Sequence, residues 1–213
     1  GPGKRSPGPY DQVELLLSAW TTEGESLEGD AHSGMRTTRT VRKNPPGLAE
    51  GLQLMVVGDA TRFWIPEALG GSYPGKHRGM RVYDIELVGI ERMPDPPPAP
   101  KALSAPANAR KTASGIAYVT RVKGKRTKAA GEQSTVVLNV TVWANDGTLI
   151  SSTQTERQQS EIKLHDATVE LRELLMGMTV GERRHVWIRD DQMYYGNKSR
   201  ELRIVDVELV SIH

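Results

Sequence analysis

The sequence predicts an α+β protein of two domains, each an antiparallel β-sheet wrapped around one short helix. Three observations carry that reading. A block of eighteen residues occurs twice, 123 positions apart, with the same order of strand and helix signals around each copy. Each copy carries several strand-like runs but a single short stretch of helical periodicity. Between the copies lies a segment dominated by proline and alanine, which composition assigns to a spacer.

The repeated block is "LAEGLQLMVVGDATRFWI" at 48–65 and "LRELLMGMTVGERRHVWI" at 171–188, identical at eight positions. Those include Glu50/Glu173, Met55/Met178, Gly58/Gly181 and Trp64/Trp187. The same offset pairs Trp20 with Trp143 and Gly24 with Gly147, and after a one-residue slip "VYDIELVGI" (82–90) meets "IVDVELVSI" (204–212). Self-similarity at a fixed offset is the signature of a duplicated unit. It divides the chain into domains at 1–93 and 112–213, with a linker at 94–111.

Taken in order, "QVELLLSAW" (12–20) and "STVVLNVTVW" (134–143) are apolar, β-branched runs that predict strands. Each meets a glycine turn, "TTEG" or "ANDG", and then a short second strand around Leu27 or around Leu149 and Ile150. Pro46 and Gly47 open the first helix, at a position where a missing N–H is harmless. In the second copy Asp166 is the expected N-cap, and Leu171, Leu174, Leu175 and Met178 form the buried stripe. Gly58 and Gly181 stand where a left-handed residue would close each helix. "ATRFWI" and "RRHVWI" return to strand. The parity of side chains along these strands places Trp20, Trp64, Trp143 and Trp187 on the face away from the helix. There they either meet covering segments or form a second binding surface.

Composition excludes several chemistries. There is no cysteine, which removes disulfides, thiolate metal sites and thiol nucleophiles. It leaves the compartment open, with a periplasmic or cell-envelope setting favoured over the cytoplasm. Five histidines are scattered without metal-ligand spacing, and no metal site is expected. The formal charge of +2 gives no electrostatic case for nucleic acid, and "KGKRTK" (123–128) reads as a solvated loop. No apolar run approaches the ~20 residues a membrane-spanning helix needs.

Several of these stretches, in this order, resemble the FKBP-type peptidyl-prolyl isomerases. They are the glycine turn "DGTLISS" (146–152), "MTVGE" (178–182), "VWI" (186–188), "YYG" (194–196) and "VDVELVSI" (205–212). The first copy shows "MVVGD" (55–59), "FWIPEALGG" (63–71) and "YDIELVGI" (83–90). "TASGIAYVTRVKGKR" (112–126) is similar to the family's lead-in strand, which the first copy lacks except for "GPGKR", as a trimmed N-terminus would leave it. The resemblance implies two FKBP-like domains that accelerate rotation about X–Pro bonds. That rotation faces a barrier of ~18–20 kcal/mol from amide resonance. The twisted amide is less polar than the planar one, so a dry apolar cradle favours the transition state, and no cofactor is required. Implied partners are proline-containing peptides or unfolded client proteins, with macrolide-type ligands bound weakly.

The resemblance also implies site residues, carried over position by position. The first-strand position falls on Leu17 and Val140. The second-strand pair falls on Leu27 and Glu28, then on Ile150 and Ser151. The helix entry falls on Pro45 and Leu48, then on Thr168 and Leu171. The flap position is Gly70 in the first copy and Tyr195 in the second, and the last-strand position is Tyr83 and Val205. Tyr195, Ser151, Glu28 and Tyr83 would be the polar groups assisting catalysis, and the others would line the cradle. Most of the family's aromatic floor is replaced by aliphatic side chains. Weak catalysis, with Tyr195 making the second domain the better catalyst, is therefore the expectation. The alternative is a non-catalytic interaction module that keeps the fold.

Overall fold

The computed structural model describes residues 4–27, 35–70, 79–125, 128–194, 196 and 198–213. The chain forms two compact units, Gly1–Pro94 and Asp95–His213. None of its described helices is long and apolar enough to cross a membrane.

The first unit contains β1 (Gln12–Thr21), β2 (Met35–Thr40), α1 (Pro46–Leu54), β3 (Ala60–Ile65) and β4 (Arg81–Glu91). Its antiparallel sheet runs β2-β1-β4-β3. The second unit contains β5 (Arg110–Lys111), β6 (Ala117–Val122), β7 (Thr135–Ala144), β8 (Leu149–Ser152), α2 (Thr153–Glu156), β9 (Ser160–Lys163), α3 (Val169–Leu175), β10 (Arg183–Arg189), α4 (Asp190–Met193) and β11 (Leu202–Ile212). Its strands run β5-β6-β10-β11-β7-β8, with β9 also pairing β7. The order β9-β7-β11-β10 repeats β2-β1-β4-β3, with Thr135 opposite Lys163 as Gln12 is opposite Thr40.

The correspondence reaches single hydrogen bonds. Gly58 N–H donates to the Leu87 carbonyl at 2.8 Å, as Gly181 N–H does to Leu209 at 2.8 Å. Leu87 N–H returns to the Asp59 carbonyl at 2.9 Å, as Leu209 N–H does to Glu182 at 3.0 Å. The carboxylates of Asp59 and Glu182 accept from the N–H groups of Val56 and Thr179. Gly24 and Gly147, with φ of 89° and 87°, close matched turns onto Thr21 and Ala144. Gly58 and Gly181 do not terminate the helices, as the sequence suggested. α1 ends at Leu54 and α3 at Leu175, and these glycines make the left-handed turn that feeds the next strand.

Each unit has its own core. In the first, alternate residues of β1 (Val13, Leu15, Leu17) and β4 (Tyr83, Ile85, Leu87) face Leu48, Leu52 and Met55. In the second, Val136, Leu138 and Val142 with Val205, Val207 and Leu209 face Leu174, Leu175 and Met178. The two cores exchange volume. In the first unit Phe63 packs against Gly51, where a Cβ would lie 3.0 Å from the ring. At the matched positions of the second unit stand Val186 and Leu174, both buried. A large side chain on the strand is traded for one on the helix, the kind of change that close-packed interiors tolerate best.

The α3 entry differs from expectation. Asp166 lies in a preceding 3-10 turn, and Thr168 is the N-cap, its hydroxyl accepting from Leu171 N–H at 3.2 Å. The expected spacer also behaves differently. Residues from Asp95 onward belong to the second unit, where Ala102 and Ala109 pack on a small cluster of Ala117, Trp143, Trp187 and Ile204. Trp143 and Trp187 are consequently 1% and 4% exposed, whereas Trp64, the first unit's counterpart of Trp187, is 60% exposed.

Candidate functional site

In the second unit the concave face of the sheet and α3 enclose a pocket of about 170 Å³. Its floor comes from alternation along three strands. β7 contributes Leu138, Val140 and Val142, β11 contributes Val205 and Val207, and β10 contributes Ile188. α3 closes one side with Leu171, Leu174 and Leu175. The rim is mixed: Ser151, Thr153, Glu156 and Ser160 on one side, Met193 and Tyr194 on the other.

Polar bonds fix the walls. The Thr168 hydroxyl, besides capping α3, donates to the Gln192 carbonyl in α4 at 2.7 Å. Gln192 in turn accepts from Arg189 N–H at 3.1 Å. Asp190 holds Arg203 through a two-pronged contact of 2.8 and 2.6 Å, and that hydrogen bonding raises the guanidinium above its ordinary pKa. α4 is thereby tied to α3 and β11, which places Met193 and Tyr194 at the mouth. Opposite them, Val140 N–H donates to the Thr153 hydroxyl at 2.9 Å, and the Thr155 hydroxyl donates to the Ser152 carbonyl at 2.9 Å. These two bonds anchor α2.

Of the residues named from the sequence, Val140, Ser151, Leu171 and Val205 come together in this pocket. Ile150 does not, being 40% exposed. A register shift between Val142 and Trp143 pairs Ser151 with Val142 and Leu149 with Trp143, so Ser151 lies at the pocket and Ile150 turns outward. Thr168 is buried and caps α3 instead of lining the cavity. Tyr195 lies outside the described residues, as does Glu28 in the first unit.

In the first unit the matched residues are packed. Leu17, Leu27, Leu48 and Tyr83 are 2%, 9%, 1% and 4% exposed and belong to the core. Tyr83 stands where the second unit has the smaller Val205. Pro45 occupies the N-cap position of α1. Gly70 is buried, its carbonyl accepting from the Arg81 guanidinium, so it acts as backbone support.

Sequence reasoning missed Tyr194, Met193, Ile162 and Glu156 among the lining groups. The first two follow from α4, whose four residues carry no periodicity to read. Glu156 depends on where a short turn of helix ends, and only its Thr-rich approach "SSTQTE" hinted at a capped turn.

Residues 126–207, which carry this pocket, match the family model described as FKBP-type peptidyl-prolyl cis-trans isomerase. Over that stretch the chain is similar to the FKBP-type peptidyl-prolyl cis-trans isomerases. A curated relative, the FKBP-type peptidyl-prolyl cis-trans isomerase FkpA of Aeromonas hydrophila, is 30% identical over 92 residues, covering 40% of this chain. The match spans 34% of that relative, about a third of its length. Among solved structures, FkpA from Escherichia coli is similar with a TM-score of 0.44 and 19% identity, over 50% of this chain and 52% of that one. The three FKBP domains of wheat FKBP73 give a TM-score of 0.41 and 19% identity, over 100% and 91% of the two chains.

Proposed function

We propose that this FKBP-type chain is a weak peptidyl-prolyl isomerase and folding helper, taking proline-containing segments of other proteins into the pocket of its second unit. The observation that carries this reading is the apolar pocket over Val140, Leu171 and Val205, with the hydroxyl groups of Ser151, Thr153 and Ser160 on its rim. An apolar enclosure strips water from the prolyl amide and so favours its less polar twisted form. Rim groups such as Ser151, together with the Tyr195 hydroxyl, are the candidates for holding the neighbouring carbonyls.

A second reading, a non-catalytic interaction module on the same fold, is favoured by one feature. The floor is aliphatic throughout, and the one aromatic side chain among the described lining residues is Tyr194, 57% exposed at the rim. An aliphatic floor lacks the stiff ring faces that clamp a pyrrolidine.

Exchange NMR of an X–Pro peptide, with no coupled protease, separates the two. Accelerated cis/trans interconversion by the 213-residue chain supports the isomerase. Peptide binding at Val140 and Leu171 with no acceleration supports the module, and absence of both sinks the pocket assignment.

A further inference from the structure

The outer faces of the two sheets carry the same apolar trio and differ in what lies on it. In the second unit Trp143 and Trp187 both stand opposite Ile204, and the three are 1%, 4% and 0% exposed. Ala102 and Ala109, from the proline- and alanine-rich stretch, pack on them. The same stretch crosses the turn at Gly147, where an added Cβ would lie 3.5 Å from Ala99 and 3.7 Å from Leu103. In the first unit Trp20 and Trp64 both stand opposite Val82, the same trio in the same register. Yet Trp64 is 60% exposed, Trp20 and Val82 are partly exposed, and none of the three joins a hydrophobic cluster of the described residues. At Gly24, the counterpart of Gly147, no described atom lies within 4 Å of an added Cβ. In the second unit β6 flanks β10 and sets Ala117 opposite Trp187, whereas no described strand flanks β3 on that side.

We propose that the Trp20–Val82–Trp64 face of the first unit is a docking surface for an extended, proline- and alanine-rich segment of another protein. The occupant's chemistry is read from the duplicate, where a stretch of that composition lies on the matched trio. Indole rings standing on a flat sheet leave shallow spaces that a methyl group fills, as Ala102 and Ala109 do on the second unit. Proline keeps such a segment extended before it binds, so little conformational freedom is lost on docking, and aromatic surfaces suit segments of this kind. The next row of the same face is Ser18, Asp84 and Arg62. Asp84 and Arg62 form a two-pronged ion pair with both contacts at 2.6 Å. Their charges balance, so the face selects small apolar side chains and not charge. It lies on the side of the sheet away from α1, and it stands apart from the pocket reading made above for the second unit.

The test titrates the 213-residue chain with a peptide of its own residues 97–109, "PPAPKALSAPANA". NMR follows the indole N–H signals of the four tryptophans, assigned with single variants. The peptide should shift Trp64 and Trp20 and leave Trp143 and Trp187 unmoved, because their own segment is tethered at a higher effective concentration. Trp64→Ala, at an exposed side chain, should weaken binding by about tenfold or more. A peptide carrying Ala102→Asp and Ala109→Asp should weaken it to a similar degree, and molar salt should leave the native affinity within about twofold. No shift of Trp64 at about 1 mM peptide overturns the inference. So does full affinity in Trp64→Ala or for the aspartate peptide, or a shift of Trp143 and Trp187 in place of Trp64. Shifts confined to Val140 and Leu171 overturn it while supporting the pocket reading. A Trp64 signal that moves with protein concentration alone makes a second copy the occupant and overturns the assignment to another protein.

Discussion

Gly181 carries a backbone φ of 85° and donates to the Leu209 carbonyl, and nothing lies within 4 Å of where a Cβ would be placed. An alanine there meets no neighbour, so its cost isolates the backbone term: a left-handed conformation that L-residues adopt only at a penalty. Gly181→Ala should destabilise the second unit by about 1–2 kcal/mol. Urea unfolding reads this as a lower midpoint with an unchanged slope. A neutral result would mean that the turn can re-form with negative φ. The "VG" pair was legible because it recurs in both copies. Its role was not, because a glycine a few residues past a helix reads the same whether it ends that helix or starts the next strand.

Among the elements, the strands were the most legible, since β1 and β7 have alternating apolar residues and one buried face each. What escaped were features set by contacts between elements. The shift in the β7–β8 pairing moved Ile150 out of the pocket and Ser151 to it, and no sequence pattern marks a shift of that kind. Thr168 took the capping role from Asp166 because its hydroxyl also reaches the Gln192 carbonyl, a partner 24 residues away. The tryptophans show the same dependence on neighbours. Parity placed Trp64 and Trp187 on the outer face alike, yet Ala102 and Ala109 cover only the second. Trp187→Ala should therefore empty a packed cluster and cost about 3–5 kcal/mol. Trp64→Ala, at a residue 60% exposed, should change stability by no more than about 0.5 kcal/mol. Equal losses at both sites would show that Trp64 is covered in solution. A small loss at Trp187 would show that the Ala102–Ala109 segment does not seat on it.

At the scale of the whole molecule, the two units keep one topology and differ in what the helix and sheet enclose. In the first, Tyr83, Leu17 and Leu48 fill the space, each 4% exposed or less. In the second, Val205, Val140 and Leu171 leave a pocket at the matched positions. Under the proposed function, divergence in side-chain volume favours residues 95–213, which hold a complete core of their own, as the unit that takes the prolyl segment. Expressed alone, 95–213 should accelerate X–Pro interconversion while 1–94 should not, with exchange NMR as the measurement. Tyr195→Phe should then lower the rate of 95–213 by up to about tenfold, the worth of one hydrogen bond made in the transition state. Leu171→Trp, which puts an aromatic ring on the pocket floor, should raise it. Acceleration by 1–94 alone would break the assignment at its root, because it would require catalysis over positions that the structure fills with core.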